Sequence, residues 1–245
     1  MDEDILVVNG SQQGIDLICK ALVGKNTVVL AEGPSYSVAL HCFQCAGARV
    51  VTVPLLADGP DMDAIRAVVD PTPIDFYYTM THFQCPSNVW SERKRREMLA
   101  LAQANSFTIV EDDCLGDLAF NGRPRQTLRG LDSGNTVLYL NSFSKSLVPG
   151  MRLGYLLVPG RYEKRLFLAK FNADIASPAL LQEMLALYLQ RGLYAAHLER
   201  LVAQYASKRR CMSQAIRASK HLSLPYPEQA GGVFFWVQIP DAVDA

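Results

Sequence analysis

One lysine set among hydroxyls opens the chemical reading of this chain. The segment from Ser142 to Gly154 carries Ser142, Ser144, Lys145, Ser146 and Arg152 among small and apolar residues, and it joins two runs that read as strands. A lysine at the carboxyl end of a buried strand can be desolvated, which lowers the cost of its neutral amine and suits it to Schiff-base chemistry. Arg152 and the hydroxyls could then hold a phosphate. Taken alone, Lys145 reads as a solvated loop lysine; three other segments change that balance.

The turn Asn9-Gly10-Ser11-Gln12-Gln13-Gly14 follows a short apolar run and opens a helix, so free backbone N–H groups and the helix dipole converge on Ser11 and Gln12, where an anion fits. Glu111, Asp112 and Asp113 end another strand, and Asp112 could face inward at the carboxyl edge of the sheet, where open α/β sheets bind ligands. Tyr36, just after Glu32-Gly33-Pro34-Ser35, offers an aromatic face for stacking on a planar ring. An anion hole, an aromatic plate, an acid and an amine at four strand ends make one coherent site.

The elements that must position these groups follow from hydrophobic periodicity. Strands are expected at 27–31, 49–53, 76–80, 108–111, 137–140 and 153–158, most of them apolar throughout, so helices should cover both faces of the sheet. Helical patterns at 12–23, 36–46, 61–69 and 91–105 alternate with them. The fold expected is an α/β, three-layer α/β/α sandwich on a mostly parallel sheet. Beyond Pro159 the pattern becomes helix upon helix, at 161–172, 178–191 and 193–219, and then a strand signal at 231–237 begins a partial small α+β domain. The division expected is a large domain over 1–172, and over 173–245 the remaining large-domain helices, a long connecting helix and an incomplete small domain.

Composition narrows the function classes. With 24 basic and 24 acidic residues among 245, no global charge favours nucleic acid or an anionic membrane, and neither is expected as a partner. No apolar stretch reaches 18 residues and the acidic start lacks a secretory pattern, so a cytosolic protein is expected. The six cysteines are sparse for this length and suit a reducing compartment. Cys42 and Cys45 have metal-type spacing, but no second pair follows, so they read as core packing and no metal is expected. The basic clusters at 92–96 and 208–210 read as solvated helix faces. His41, His82, His197 and His221 show no triad spacing and are assigned no catalysis.

From about residue 5 to 239 the sequence resembles the class I and II aminotransferases, fold-type I enzymes that use pyridoxal 5'-phosphate. It is most similar to the aminotransferase-like domain of the MocR-type group, where that domain is fused to a winged-helix DNA reader. The segment Ser142-Phe143-Ser144-Lys145 with Pro149-Gly150-Met151-Arg152-Leu153-Gly154 carries the resemblance. It implies that Lys145 forms the Schiff base with the cofactor aldehyde and shuttles a proton, and that Asp112 keeps the pyridine nitrogen protonated. It implies further that Ser11, Gln12, Ser142 and Arg152 form the phosphate cup and that Tyr36 stacks on the ring. The activity implied is exchange of amino and keto groups between an amino acid and a 2-oxo acid, in a homodimer.

Departures from the family pattern accompany the match. Cys114, a weak hydrogen-bond donor, stands where the family usually has a Tyr after the acid pair, and Cys85 stands in the usual Asn slot of the loop Gln84-Cys85-Pro86-Ser87-Asn88. The N-terminal segment and the arginine that clamps the substrate carboxylate in the family have no counterpart here, so a fragment, a truncated product or a degenerate copy is expected. Two further readings stand beside the enzyme: a domain that senses the cofactor or its amino-acid adduct for a MocR-type regulator without turnover, and an inactive truncated copy.

Overall fold

The computed structural model describes residues 4–84, 89–120, 126–225 and 230–240. Cys85, read above as replacing an Asn, lies outside them.

Along the chain run β1 (Asp4–Val8), α1 (Ser11–Leu22), β2 (Val28–Gly33), α2 (Ser37–Cys45), β3 (Arg49–Leu56), β4 (Gly59–Pro60), α3 (Met62–Val69) and β5 (Phe76–Thr79). Then come α4 (Glu92–Ala104), β6 (Thr108–Asp112), α5 (Leu128–Leu131), β7 (Val137–Ser142), β8 (Gly154–Val158), α6 (Glu163–Asp174), α7 (Ala179–Gln190) and α8 (Leu193–Ala218). The strands form one sheet in the order β1-β8-β7-β6-β5-β2-β3-β4. Its centre, β7-β6-β5-β2-β3, is parallel, and β8 and β1 add an antiparallel edge.

Side chains alternate across each strand, so parity sorts the core into two halves. Val29, Ala31, Phe76, Tyr78 and Val110 point to the face covered by α1, α2 and α6. Leu30, Tyr77 and Ile109 point to the face covered by α3, α4 and α5. Three layers result, as the uniformly apolar strand runs imply. The same alternation carries Asp112 onto the α1/α2 face behind Val110 and carries Glu111 onto the opposite face.

The strand expected at 231–237 does not form. Among the described residues this stretch makes only isolated bridges, Ala119 with Gly231 and Ser223 with Gln238. Its path is set by close packing: a Cβ on Gly231 would stand 2.3 Å from the Phe83 ring and 2.4 Å from the Leu118 carbonyl oxygen. The stretch is pinned as a single run against a small cluster of Met80, Phe83, Leu115 and Leu118, beneath Leu201 and Tyr205 of α8.

Candidate active site

A cavity of about 310 Å³ opens at the carboxyl ends of the parallel strands, and Ser11, Tyr36, Asp112, Ser142 and Lys145 all line it. Five of the seven expected site residues therefore share one space. They arrive from four places, the starts of α1 and α2 and the carboxyl ends of β6 and β7, the arrangement in which open α/β sheets bind ligands.

The floor is Asp112, only 2% exposed. Tyr78, on the neighbouring strand, donates its phenol to Asp112 Oδ2 at 3.0 Å, and the Cys114 backbone N–H donates to Oδ1 at 3.3 Å. Burial pushes the Asp112 carboxyl up to about 6, and the Tyr78 and Cys114 hydrogen bonds offset part of that rise. Cys114 also lines the cavity, and burial together with the nearby Asp112 charge raises its thiol well above the ordinary value, so it remains protonated. The flanking acids do other work. Glu111 accepts from Thr81 Oγ1 and from the backbone N–H groups of Leu128 and Arg129, fixing the start of α5. Asp113 accepts from the Tyr139 phenol at 2.9 Å and pairs with His82 Nδ1 at 2.8 Å.

Lys145 is exposed rather than dry. It sits three residues past the end of β7, in a turn closed by Leu147 N–H to the Phe143 carbonyl at 2.8 Å, at the open mouth of the cavity. The amine expected to be dry at the carboxyl end of a buried strand is exposed because the turn carries it beyond the sheet edge. Ser142 is buried and near Ser144, with 3.0 Å between their hydroxyl oxygens.

Arg152 and Gln12 are placed differently. Arg152 is exposed at the rim and does not line the cavity; its guanidinium donates to Ser144 Oγ at 3.4 Å and to the Asn9 carbonyl at 3.3 Å. It lies flat across Gly10, whose φ of 77° and lack of a Cβ make room: a Cβ there would be 2.5 Å from Arg152 Nη2. The Gln12 side chain turns away and donates to Cys42 Sγ at 3.3 Å, so only its backbone remains at the helix start. Gly10 supplies no side-chain cap, and the first N–H groups of α1 are left for a ligand. Tyr36, 40% exposed, forms one wall.

Sequence reasoning missed two sets of residues. Tyr78 lies in the expected strand at 76–80 with nothing in its residue type to single it out, although strand parity and the pairing of β5 with β6 put it on the face of Asp112. Phe234 and Trp236 line the cavity, 53% and 42% exposed, while Phe235 between them turns away to lie under Arg209, whose guanidinium carbon is 4.2 Å from the ring centroid. Their i, i+2 spacing was the available signal. A larger cavity of about 790 Å³ lies where Ile5, Val7, Tyr155 and Leu157 face α7, but among the described residues Glu183 is the only charged one on its wall and it holds none of the expected site residues.

The chain matches the family model for aminotransferase class I and II over residues 1–245. It belongs to that family. Among similar proteins, the 2-aminoadipate transaminase of Thermus thermophilus is 32% identical over 99% of this chain and 62% of its own length. The regulator TauR of Rhodobacter capsulatus is 33% identical over 98% of this chain and 49% of its own. The structure of Pyrococcus horikoshii kynurenine aminotransferase in complex with PMP superposes with a TM-score of 0.92 at 28% identity, over 100% of this chain and 62% of that one. The chain thus spans about three-fifths of the aminotransferases and half of the regulator. Family membership indicates pyridoxal 5'-phosphate as cofactor, and the residues fit it: a buried carboxylate in the floor, an amine at the mouth, and an uncapped helix start beside hydroxyls and an arginine.

Proposed function

We propose that this chain carries the cofactor site of a pyridoxal-phosphate-dependent aminotransferase that exchanges amino and keto groups between an amino acid and a 2-oxo acid. The observation that carries this reading is the convergence of Lys145, Asp112 and Ser11 on one cavity. When bound, the cofactor supplies an electron sink for negative charge at the substrate α-carbon. Lys145 Nζ is the reactive amine and takes and returns the proton. Asp112 would hold the ring nitrogen, Ser11, Ser142, Arg152 and the α1 N–H groups would hold the phosphate, and Tyr36 would pack on the ring. Visible absorbance with added pyridoxal phosphate, compared with Lys145→Ala, tests the assignment: a band that depends on the lysine is expected, and its absence from the wild type refutes the enzyme.

Cys114 favours a second reading, a sensing domain that binds without turnover, because a weak thiol stands where a stronger donor would serve proton transfer. Steady-state keto-acid formation from a panel of amino acids separates the two. We further propose that two copies pair in the cytoplasm. The exposed Phe171, Ile175, Leu180 and Met184 of α6, α7 and their connection support pairing, and sedimentation checks it. Among the described residues no helix is long and apolar enough to cross a membrane.

A further inference from the structure

The polar groups at the end of α6 lie outside the cavity, yet they grip the turn that opens α1 from both sides. Asp174, the last residue of α6, accepts at one oxygen, Oδ2, from Asn9 Nδ2 at 2.6 Å, Gln13 Nε2 at 2.8 Å and Lys170 Nζ at 2.7 Å. Lys170, nearly fully buried, also donates to Gln13 Oε1 at 2.9 Å and to Ser177 Oγ at 2.9 Å. Gln13 Oε1 in turn accepts from the Asn9 backbone N–H at 2.7 Å. Asn9 and Gln13 flank Gly10, Ser11 and Gln12, and the Asn9 carbonyl takes the Arg152 guanidinium. One carboxylate more than 160 positions away in the chain therefore closes a ring around the anion-binding turn.

We propose that Asp174 is a positioning residue for the cofactor phosphate: by holding Asn9 and Gln13 together it aims the first N–H groups of α1 and the Asn9 carbonyl that seats Arg152. This rests on the assignment of that turn as the phosphate cup. Asp174 touches no ligand itself, and its charge opposes an anion bound nearby. Electrostatics alone therefore predicts that removing the carboxylate tightens phosphate binding, whereas a positioning role predicts that it weakens it. The two accounts differ in sign.

The experiment titrates wild type, Asp174→Ala and Asp174→Asn with pyridoxal 5'-phosphate and with pyridoxal, following quenching of the tryptophan fluorescence to which Trp236, at the cavity wall, contributes. Pyridoxal lacks the phosphate, and its tendency to close as an internal hemiacetal is the same for every variant, so a change in the affinity ratio between variants isolates the phosphate. Asp174→Ala should lose affinity for the phosphorylated ligand by about tenfold, the scale of a charge-assisted hydrogen-bond network, and keep its affinity for pyridoxal. Asp174→Asn, whose amide oxygen still accepts, should recover part of the loss. A phosphate preference in the wild type that Asp174→Ala leaves unchanged or increases overturns the proposal. Absence of any phosphate preference in the wild type removes the phosphate-cup assignment and the proposal together. Should Asp174→Ala fail to fold, Asp174→Asn decides by the same ratio: a reduced preference supports the role and an unchanged one overturns it.

Discussion

Tyr78 and Asp112 stand on adjacent strands with the phenol directed at the carboxylate, 3.0 Å from hydroxyl oxygen to Oδ2, and both side chains are buried. Among the described residues this is the one side-chain donor from a neighbouring strand that meets the floor acid, and it stabilises the ionised form. Tyr78→Phe removes it without changing the size of the ring. The Asp112 titration should then move upward from about 6. A hydrogen bond to a charged group is worth about 1.5–3 kcal/mol, so the rise should be roughly one to two pH units. Carbon-13 NMR of the labelled aspartates reads the midpoint directly; an unchanged midpoint would mean that Tyr78 does not govern Asp112.

Buried acids also set how stability responds to pH. Glu32 accepts from Thr79 Oγ1 at 2.6 Å, and burial drives its carboxyl from an ordinary 4.5 up to about 7. Asp112 rises from 3.8 to about 6, also chiefly through burial. An acid whose pKa is higher folded than unfolded binds its proton more tightly in the native state, so stability falls as pH climbs between the two values. The protein without cofactor should therefore melt at lower temperature at pH 8 than at pH 5. Glu32→Gln should flatten the part of that slope between about pH 4.5 and 7, gaining on the order of 3 kcal/mol at pH 8 and nothing near pH 4. Melting curves of the two proteins across that range check the sign, and a wild type whose stability increases with pH over the same window contradicts it.

Most of the layered fold was legible because its strands are apolar on both faces and α3 and α4 carry plain start signals in Asp61 and Ser91. The expected strand at 76–80 and the expected helix at 91–105 differ from β5 and α4 by no more than a residue at either end. Ser91 explains the sharpness of the second, since its side chain accepts from the Lys94 backbone N–H as an N-cap. What stayed hidden depends on three-dimensional context. The Gly231 to Val237 run has strand-like composition, but a strand requires a partner edge, and none of the described residues offers one beyond isolated bridges. Lys145 lines the cavity but is exposed, because the length of the turn after β7, and not residue type, decides how far the amine stands from the sheet. Asp174 gave no signal at all: its partners Asn9 and Gln13 are distant in sequence, and only the packing of α6 on α1 unites them.

Two glycines near the site separate rigid from yielding neighbours. Gly154 pairs with Val8 on one side and Ser142 on the other, bringing the start of β8 against both the α1 turn and the lysine segment. A Cβ there would lie 2.6 Å from the Asn141 carbonyl oxygen and 3.3 Å from the Gly10 carbonyl carbon, both of them backbone. A Cβ on Gly14, inside α1, would come just as near, 2.5 Å, but to Cδ1 of the Leu140 side chain. A leucine can rotate or shift slightly, and replacing a helical glycine recovers about 1 kcal/mol of helix propensity, whereas backbone on two sides, that of β7 and that of the Gly10 turn, has little room to move. Gly154→Ala should therefore cost about 1–3 kcal/mol and also weaken pyridoxal phosphate binding, because it pushes the Gly10 turn away from Ser142. Gly14→Ala should cost less and leave binding near that of the wild type. Denaturant midpoints and cofactor titrations on both variants test the contrast, and equal losses in the two would show that the close approach at Gly154 does not organise the site.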